Sequence, residues 1–484
     1  MRASPGKFIR ILAMDSMPPI FGAGPATPSS AITATIRCCI SFNIKMRRRA
    51  ARWQMGRKRE PTFCRADPCS IFAQDVLNNR LPQVSWIVAP EAYTEHGNWP
   101  PNFGAYYVSR MLDALTASPE VWSKTVFFYM FDENDGFFDH MVPATPPRSR
   151  AEGISTVGTT NELFTGTSSY PASRYTPGPY GLGVRVPMIV ISPWSKGGWV
   201  NSELFDHTSL IRFLERRFGV IEPNITPWRR AVAGDLTSAF DFVSPNDAVA
   251  ALPDTSSFAP TDENRHPSYV PKPTSVQALP QQEPGTRPAR ALPYELQADG
   301  AVSASGLQLF FRNTGKGAAV FHVRSGDGKT GPWTYAVGAG DATSDSFGSN
   351  GATSYDFSAY GPNGFLRTFA GSFASGSANL AVNTIYDKRS GGIAVVIQNL
   401  GSSAANVSVF DAYSGQTQTY QLQPHQTVTY VNLLQASFGW YDLTIRVKSD
   451  PSFHRQLAGH VETGRPSVTD PAISSAALQT AAVG

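Results

Sequence analysis

Thr125–His140 reads TVFFYMFDENDGFFDH, an apolar run that stops abruptly in acidic residues. Val126 to Phe131 is short, aromatic-rich and free of Gly and Pro, which predicts a buried β-strand. Asp132, Glu133, Asp135, Asp139 and His140 crowd into the next nine positions. In an open α/β sheet, ligands and reacting groups collect outside the carboxyl ends of the strands. Carboxylates this close repel one another unless a cation or a basic partner neutralises them. Oxygen donors suit hard or borderline divalent metals. The same residues also describe a solvated acidic turn after a core strand, and spacing alone leaves both readings open.

Outward from this stretch the α/β pattern runs from Asp67 to about Ala251. Ser70–Arg80 predicts a short helix and Gln83–Val88 a strand. Gly104–Ser118 carries helical spacing through Tyr107, Met111, Leu112 and Leu115, and Val184–Ile191 is a further β-rich run. Asp206 fits the N-cap of a helix whose Leu210, Ile211, Leu214 and Phe218 share one face. Strands alternating with helices predict a largely parallel sheet covered on both sides. Residues 147–180, rich in Ser, Thr, Gly, Pro and Tyr, read as a long loop near the site.

Nine prolines among polar residues mark 253–293 as a semi-extended linker. Beyond it the composition turns β-like and repeats itself. FFRNTGKGAAVFHV (310–323) parallels VIQNLGSSAANVSVF (396–410), setting Asn313 against Asn399. SYDFSAYGPNGFLRTFAGS (354–372) parallels WYDLTIRVKSDPSFHRQLAGH (440–460), setting Tyr355 against Tyr441. Two tandem modules of short alternating strands predict two small β-sandwiches, over 293–376 and 377–466, before a tail at 467–484.

The 484-residue chain carries a net charge of +4, unevenly spread. Residues 1–66 hold 13 Lys and Arg against 2 Asp and Glu, +11, so the remainder is −7. All four cysteines, Cys38, Cys39, Cys64 and Cys69, lie in the first 69 residues. A cysteine-free body suits an exported protein that does not rely on disulfides. MRRRAARWQMGRKRE (46–60) has the charge of a nucleic-acid or membrane patch, but residues 1–66 show no coherent pattern and are expected to be non-native or disordered. No run of eighteen apolar residues exists, so no transmembrane helix is expected.

FDENDGFFDHMVPATPP (131–147) resembles a signature of the bacterial phosphocholine-preferring phospholipase C family, phosphoesterases related to a group of acid phosphatases. LPQVSWIVAPEAYTEHGNWPPNFGAYYVSRMLDAL (81–115), GLGVRVPMIVISPWSKGGWVNSELFDHTSLIRFLERRFGV (181–220) and the duplicated C-terminal module are similar to further blocks of that family, in the same order. The resemblance implies an alkaline-phosphatase-like α/β catalytic domain, here residues 67–252, followed by two β-sandwich modules. It also implies a divalent metal ion, a phospholipid substrate met peripherally at a membrane surface, no nucleic acid partner, and a secreted or periplasmic location. MRRRAARWQMGRKRE suggests the twin-arginine export signal of the family, although no apolar stretch of signal-peptide length follows it.

By that resemblance Asp132 and Glu133 hold the metal, which would stabilise charge on the phosphoryl oxygens. His96, with Glu95 beside it, is the candidate that protonates the departing alkoxide; otherwise it is satisfied by a loop carbonyl. Asp139 and His140 complete the cation site, or orient one of its ligands by hydrogen bonding, or close the loop. His207 faces an anion at its helix N-terminus or caps that helix. Trp99, Tyr106, Trp194 and Trp199 form a choline-binding aromatic wall or belong to the core. The family's N-terminal Glu-Asn strand motif and its Thr or Ser nucleophile segment have no counterpart here, so the catalytic domain is expected to be truncated, the nucleophile absent and activity impaired. Alternatives are an acid-phosphatase-like phosphomonoesterase, and a non-catalytic fragment binding lipid or glycan through its β-modules.

Overall fold

The computed structural model describes residues 10–15, as backbone, and residues 69–134, 141–264, 275–276 and 284–473. The chain forms two compact units. One comprises Met1–Met141, Val184–Gly197 and Phe240–Pro280; the other comprises Val142–Gly183, Gly198–Ala239 and Gln281–Gly484.

The first unit is built on a four-stranded sheet. Strands β1 (Arg10–Asp15), β2 (Val84–Val88) and β3 (Thr125–Met130) are joined by a fourth, Met188–Ile191, in the order β2-β1-β3-fourth. β1 runs parallel to both neighbours, with Ile11 opposite Val84 and Val126. The fourth strand runs antiparallel to β3, with Met188 opposite Met130 and Ile191 opposite Phe127. The sheet is thus largely parallel as expected, at two of its three pairings, but its fourth strand is an antiparallel edge. A parallel return needs a long crossover, usually a helix, and no α-helix among the described residues lies between β3 and Met188. A second difference is β1 itself. The first 66 residues show no coherent pattern as sequence, yet RILAMD takes a central position, because its pairing partners lie far downstream and leave no local trace.

Helix α1 (Ser70–Leu77) is followed by α2 (Pro101–Thr116) and the short α3 (Pro119–Trp122). Proline opens α2 and α3 at a position where its missing N–H costs nothing. Phe103, Tyr107, Met111 and Leu115 recur every four residues along α2 and are buried with Leu81, Ile87 and Phe127. Phe128, on the opposite face of the strand, meets Phe240 edge-on with ring centroids 6.1 Å apart. Both faces of the sheet are thus covered, as the unbroken apolar run predicts. Among the described residues no helix is long and apolar enough to cross a membrane.

In the second unit each repeat sets a three-stranded sheet against part of a shared nine-stranded one. Strand Leu366–Ser372 of the first repeat pairs antiparallel with Asp450–His460 of the second, fusing the two sandwiches edge to edge. Residues 142–183 and 198–239 join this unit. Gly153–Ser155 extends the nine-stranded sheet by pairing in parallel with Thr334–Ala336. Helices α4 (His207–Phe218) and α5 (Pro227–Val232) also belong here, and Trp228 of α5 is fully buried among Val232, Ala318, Val320 and Ala336. The stretch read as a loop within 147–180 thus contains an anchored strand, and the 67–252 catalytic segment is divided between the two units.

Candidate active site

Because β2 and β3 both run parallel to β1, their carboxyl ends emerge at the same edge of the sheet. From β2 the chain passes through a 3₁₀ turn, Glu91–Tyr93, to Glu95 and His96. From β3 it passes to Asp132 and Glu133. A direct contact ties the two segments: the Tyr129 hydroxyl donates to Glu95 Oε1 at 2.9 Å.

Glu95 is half-buried and adopts a left-handed backbone, φ 62°, a strained conformation for a non-glycine residue. Gly104 of α2 makes room for it, since a Cβ there would lie 2.4 Å from Glu95 Cγ and Oε1. Burial raises the Glu95 carboxyl above its ordinary range, and the Tyr129 hydrogen bond opposes that rise. Burial, reinforced by the Glu95 charge, holds the Tyr129 phenol protonated. Glu95 is thereby a fixed anchor, and the next residue, His96, projects from it into solvent. Thr94 is the hydroxyl nearest to His96 along the chain. It is buried, donates to the Glu91 carbonyl at 2.8 Å and accepts from the His96 amide at 3.3 Å, so it is not presented as a nucleophile.

Asp132 is half-buried and Glu133 exposed. Two adjacent carboxylates at a strand end suit part of a divalent-cation site, but among the described residues no group of three or more His, Cys, Asp or Glu is arranged to hold a metal. These residues alone do not make a complete metal centre. Asp139 and His140 lie outside the described residues.

The aromatic candidates separate. Trp99 is 4% exposed, packs on Phe103 at 6.5 Å and donates its indole N–H to Glu91 Oε1 at 3.4 Å, so it is a core ring rather than an open wall. Tyr106 stacks on Tyr93 at 6.5 Å. Trp194 follows the antiparallel strand and therefore leaves the sheet at the edge opposite Asp132, where it packs on Phe242 at 5.9 Å. Trp199 and His207 belong to the second unit. There the Arg290 guanidinium lies 4.2 Å from the Trp199 ring centre, covering one face. Asp206, not His207, caps α4, accepting from the Thr208 amide at 2.9 Å while Ser209 Oγ accepts from the Asp206 amide at 3.0 Å. The exposed His207 is the first residue of that helix.

Sequence reasoning missed Tyr129 and Gly104. Tyr129 sits near the carboxyl end of the strand TVFFYM, where a hydroxyl close to the acidic residues was the available signal. Nothing in the sequence announced that Gly104 would face a carboxylate.

Comparison with known proteins matches residues 33–221 to the Phosphoesterase family, and residues 288–372 and 380–460 to the bacterial phospholipase C C-terminal domain. The chain is 51% identical over 417 residues to the non-hemolytic phospholipase C of Burkholderia pseudomallei, covering 84% of this chain and 59% of the relative. It is 47% identical over 417 residues to the non-hemolytic phospholipase C of Pseudomonas aeruginosa, covering 84% and 60%. Phospholipase C B of Mycobacterium tuberculosis is 41% identical over 228 residues, covering 46% and 40%. The chain thus spans about three-fifths of the length of the first of these relatives. Residues 33–221 thus match the Phosphoesterase family, residues 288–372 and 380–460 match a doubled bacterial phospholipase C C-terminal domain, and the chain is similar over most of its length to bacterial phospholipases C.

Proposed function

We propose that this chain is a phospholipase C-type hydrolase that cleaves the phosphodiester of phosphatidylcholine or sphingomyelin and releases phosphocholine. The observation that carries the reading is the 51% identity over 417 residues to a protein named non-hemolytic phospholipase C. The shared edge of the sheet supports it, since it gathers Glu95, His96, Asp132 and Glu133 at the carboxyl ends of β2 and β3. In this reading His96, solvent-facing, gives a proton to the glycerol oxygen as its bond to phosphorus breaks. Glu95 and Tyr129 position His96 by fixing the backbone that carries it. Asp132 and Glu133 contribute oxygen ligands toward a divalent cation, whose charge would stabilise the phosphoryl oxygens. No nucleophile is assigned among the described residues. Export to the periplasm or beyond, and peripheral contact with the lipid surface, complete the proposal.

Phosphodiester preference separates this reading from an acid-phosphatase-like one, against which the doubled C-terminal domain speaks. The full chain is expected to turn over p-nitrophenyl phosphorylcholine at least about tenfold faster than p-nitrophenyl phosphate, a difference of about 1.4 kcal/mol in barrier. Faster turnover of the monoester would sink the diesterase reading.

A further inference from the structure

The two C-terminal repeats share a scaffold but not a chemistry. Asn313 and Asn399 make matching buried bonds, Nδ2 donating to Gly317 O and to Ser403 O, each at 2.8 Å. Arg367 and Arg455 exchange partners across the seam: Arg367 Nη2 donates to Tyr441 OH at 2.9 Å and Arg455 Nη2 to Tyr355 OH at 2.8 Å. Aligning Tyr355 with Tyr441 sets Ser354 against Trp440. Aligning Arg367 with Arg455 sets Ser372 against His460 and Ala374 against Glu462. The fold is therefore built in the first repeat without the Trp, His and Glu that the second repeat carries.

Those three residues are joined. Trp440 and His460 pack with ring centroids 4.8 Å apart. His460 Nδ1 and Glu462 Oε1 are 2.8 Å apart, with side chains only 7% and 12% exposed. His460 Nε2 lies 3.0 Å from the Phe438 carbonyl and 3.2 Å from Ser467 Oγ. All three side chains line one cavity of about 230 Å³ within the second unit, together with Asp470, Arg290 and Asn363. That volume is below the roughly 300–1,000 Å³ of sites for drug-sized ligands, which sets the occupant at the size of a headgroup rather than a whole lipid.

We infer that this cavity is a binding site for a small zwitterion carrying an anionic group and a quaternary or protonated ammonium. A simple anion would meet Glu462 and Asp470, and a simple cation would meet Arg290; a ligand bearing both signs complements both. Trp440, buried and donating its indole N–H to Val468 O at 3.0 Å, puts an aromatic ring in the cavity wall, a surface that an ammonium favours. The buried His460–Glu462 pair holds the Trp440 wall and the carboxylate in fixed positions, so little ordering is needed when the ligand enters. The site is independent of the catalytic reading, because none of its residues belongs to the sheet edge that carries Asp132. The ligand can be free in solution or displayed as a lipid headgroup.

Equilibrium dialysis of the full chain against radiolabelled phosphocholine tests the inference. Saturable binding is expected, at least about tenfold tighter than that of choline or inorganic phosphate alone. Measured in an Asp132→Ala background, which weakens product binding at the sheet edge, Asp470→Asn and Arg290→Gln should each reduce the remaining binding by about tenfold or more with the melting temperature unchanged. With the Asp132→Ala protein, which releases little phosphocholine from the vesicles, competition by phosphatidylcholine vesicles but not by phosphatidylglycerol vesicles identifies a displayed headgroup; competition by neither identifies the free zwitterion. The inference is overturned if the Asp132→Ala protein binds no phosphocholine, if its binding survives both cavity variants, or if glucose displaces phosphocholine.

Discussion

Glu95 combines three constraints in one side chain: a left-handed backbone, a half-buried carboxyl and a tyrosine donor at 2.9 Å. Burial favours its neutral form and the hydrogen bond favours its charged form, so removing the hydroxyl should push the carboxyl pKa further up. Tyr129→Phe is therefore expected to raise the Glu95 titration midpoint, read by carbon-13 NMR of labelled glutamate; an unchanged midpoint would refute the coupling. A second residue-scale case is His322, buried in a β-strand of the first repeat, whose imidazole is pushed down to about 4 by burial, with Arg324 nearby. Between pH 6.5 and 4 the unfolded chain takes up a proton there and the folded one does not. Stability from this group is present above pH 6.5 and falls as pH drops toward 4, by roughly 3 kcal/mol at most. His322→Gln should flatten the urea midpoint across that window, and an unaltered slope would assign the pH dependence to other groups. Asp132 and Glu133 were legible because acidic residues at a strand end are visible in one dimension. The Tyr129–Glu95 bond was not, since it joins segments 34 residues apart.

At the scale of elements, β3 and the helix after Asp206 were readable because their signals are local: an apolar run for one, a capping residue and a four-residue period for the other. Strand direction was not readable. Met188–Ile191 looks the same in either orientation, and its antiparallel course moves Trp194 to the far edge of the sheet. The repeat was readable through Asn313 and Asn399, but the arginine exchange was hidden. Arg367 and Arg455 are spaced 88 residues apart, where the asparagines are spaced 86. Each asparagine also accepts from a turn amide, Gly315 N at 3.0 Å and Gly401 N at 2.9 Å. Asn399→Ala would strand that amide and the Ser403 and Leu422 carbonyls. A loss of about 2–3 kcal/mol in unfolding free energy is expected. A loss below about 0.5 kcal/mol, the scale of an ordinary surface substitution, would show that the asparagine is not a structural peg.

For the molecule as a whole, the order of blocks along the chain is not the order of its compact units. Residues 142–183 and 198–239 lie between segments of the sheet-bearing unit yet join the β-rich one, through pairing such as Gly153–Ser155 with Thr334–Ala336 and the burial of Trp228. Composition placed a boundary at the Pro-rich linker because linkers have a compositional signature, whereas long-range pairing has none. The proposed chemistry is cleavage of a choline phosphodiester at the sheet edge that bears Asp132. Its most direct test is phosphocholine release from phosphatidylcholine vesicles by the purified full chain, with and without Asp132→Ala. Release above the protein-free background is expected, reduced on the order of 100-fold or more in the variant, the usual cost of removing a charge-stabilising group. No release from folded protein, or release that Asp132→Ala leaves unchanged, would contradict it.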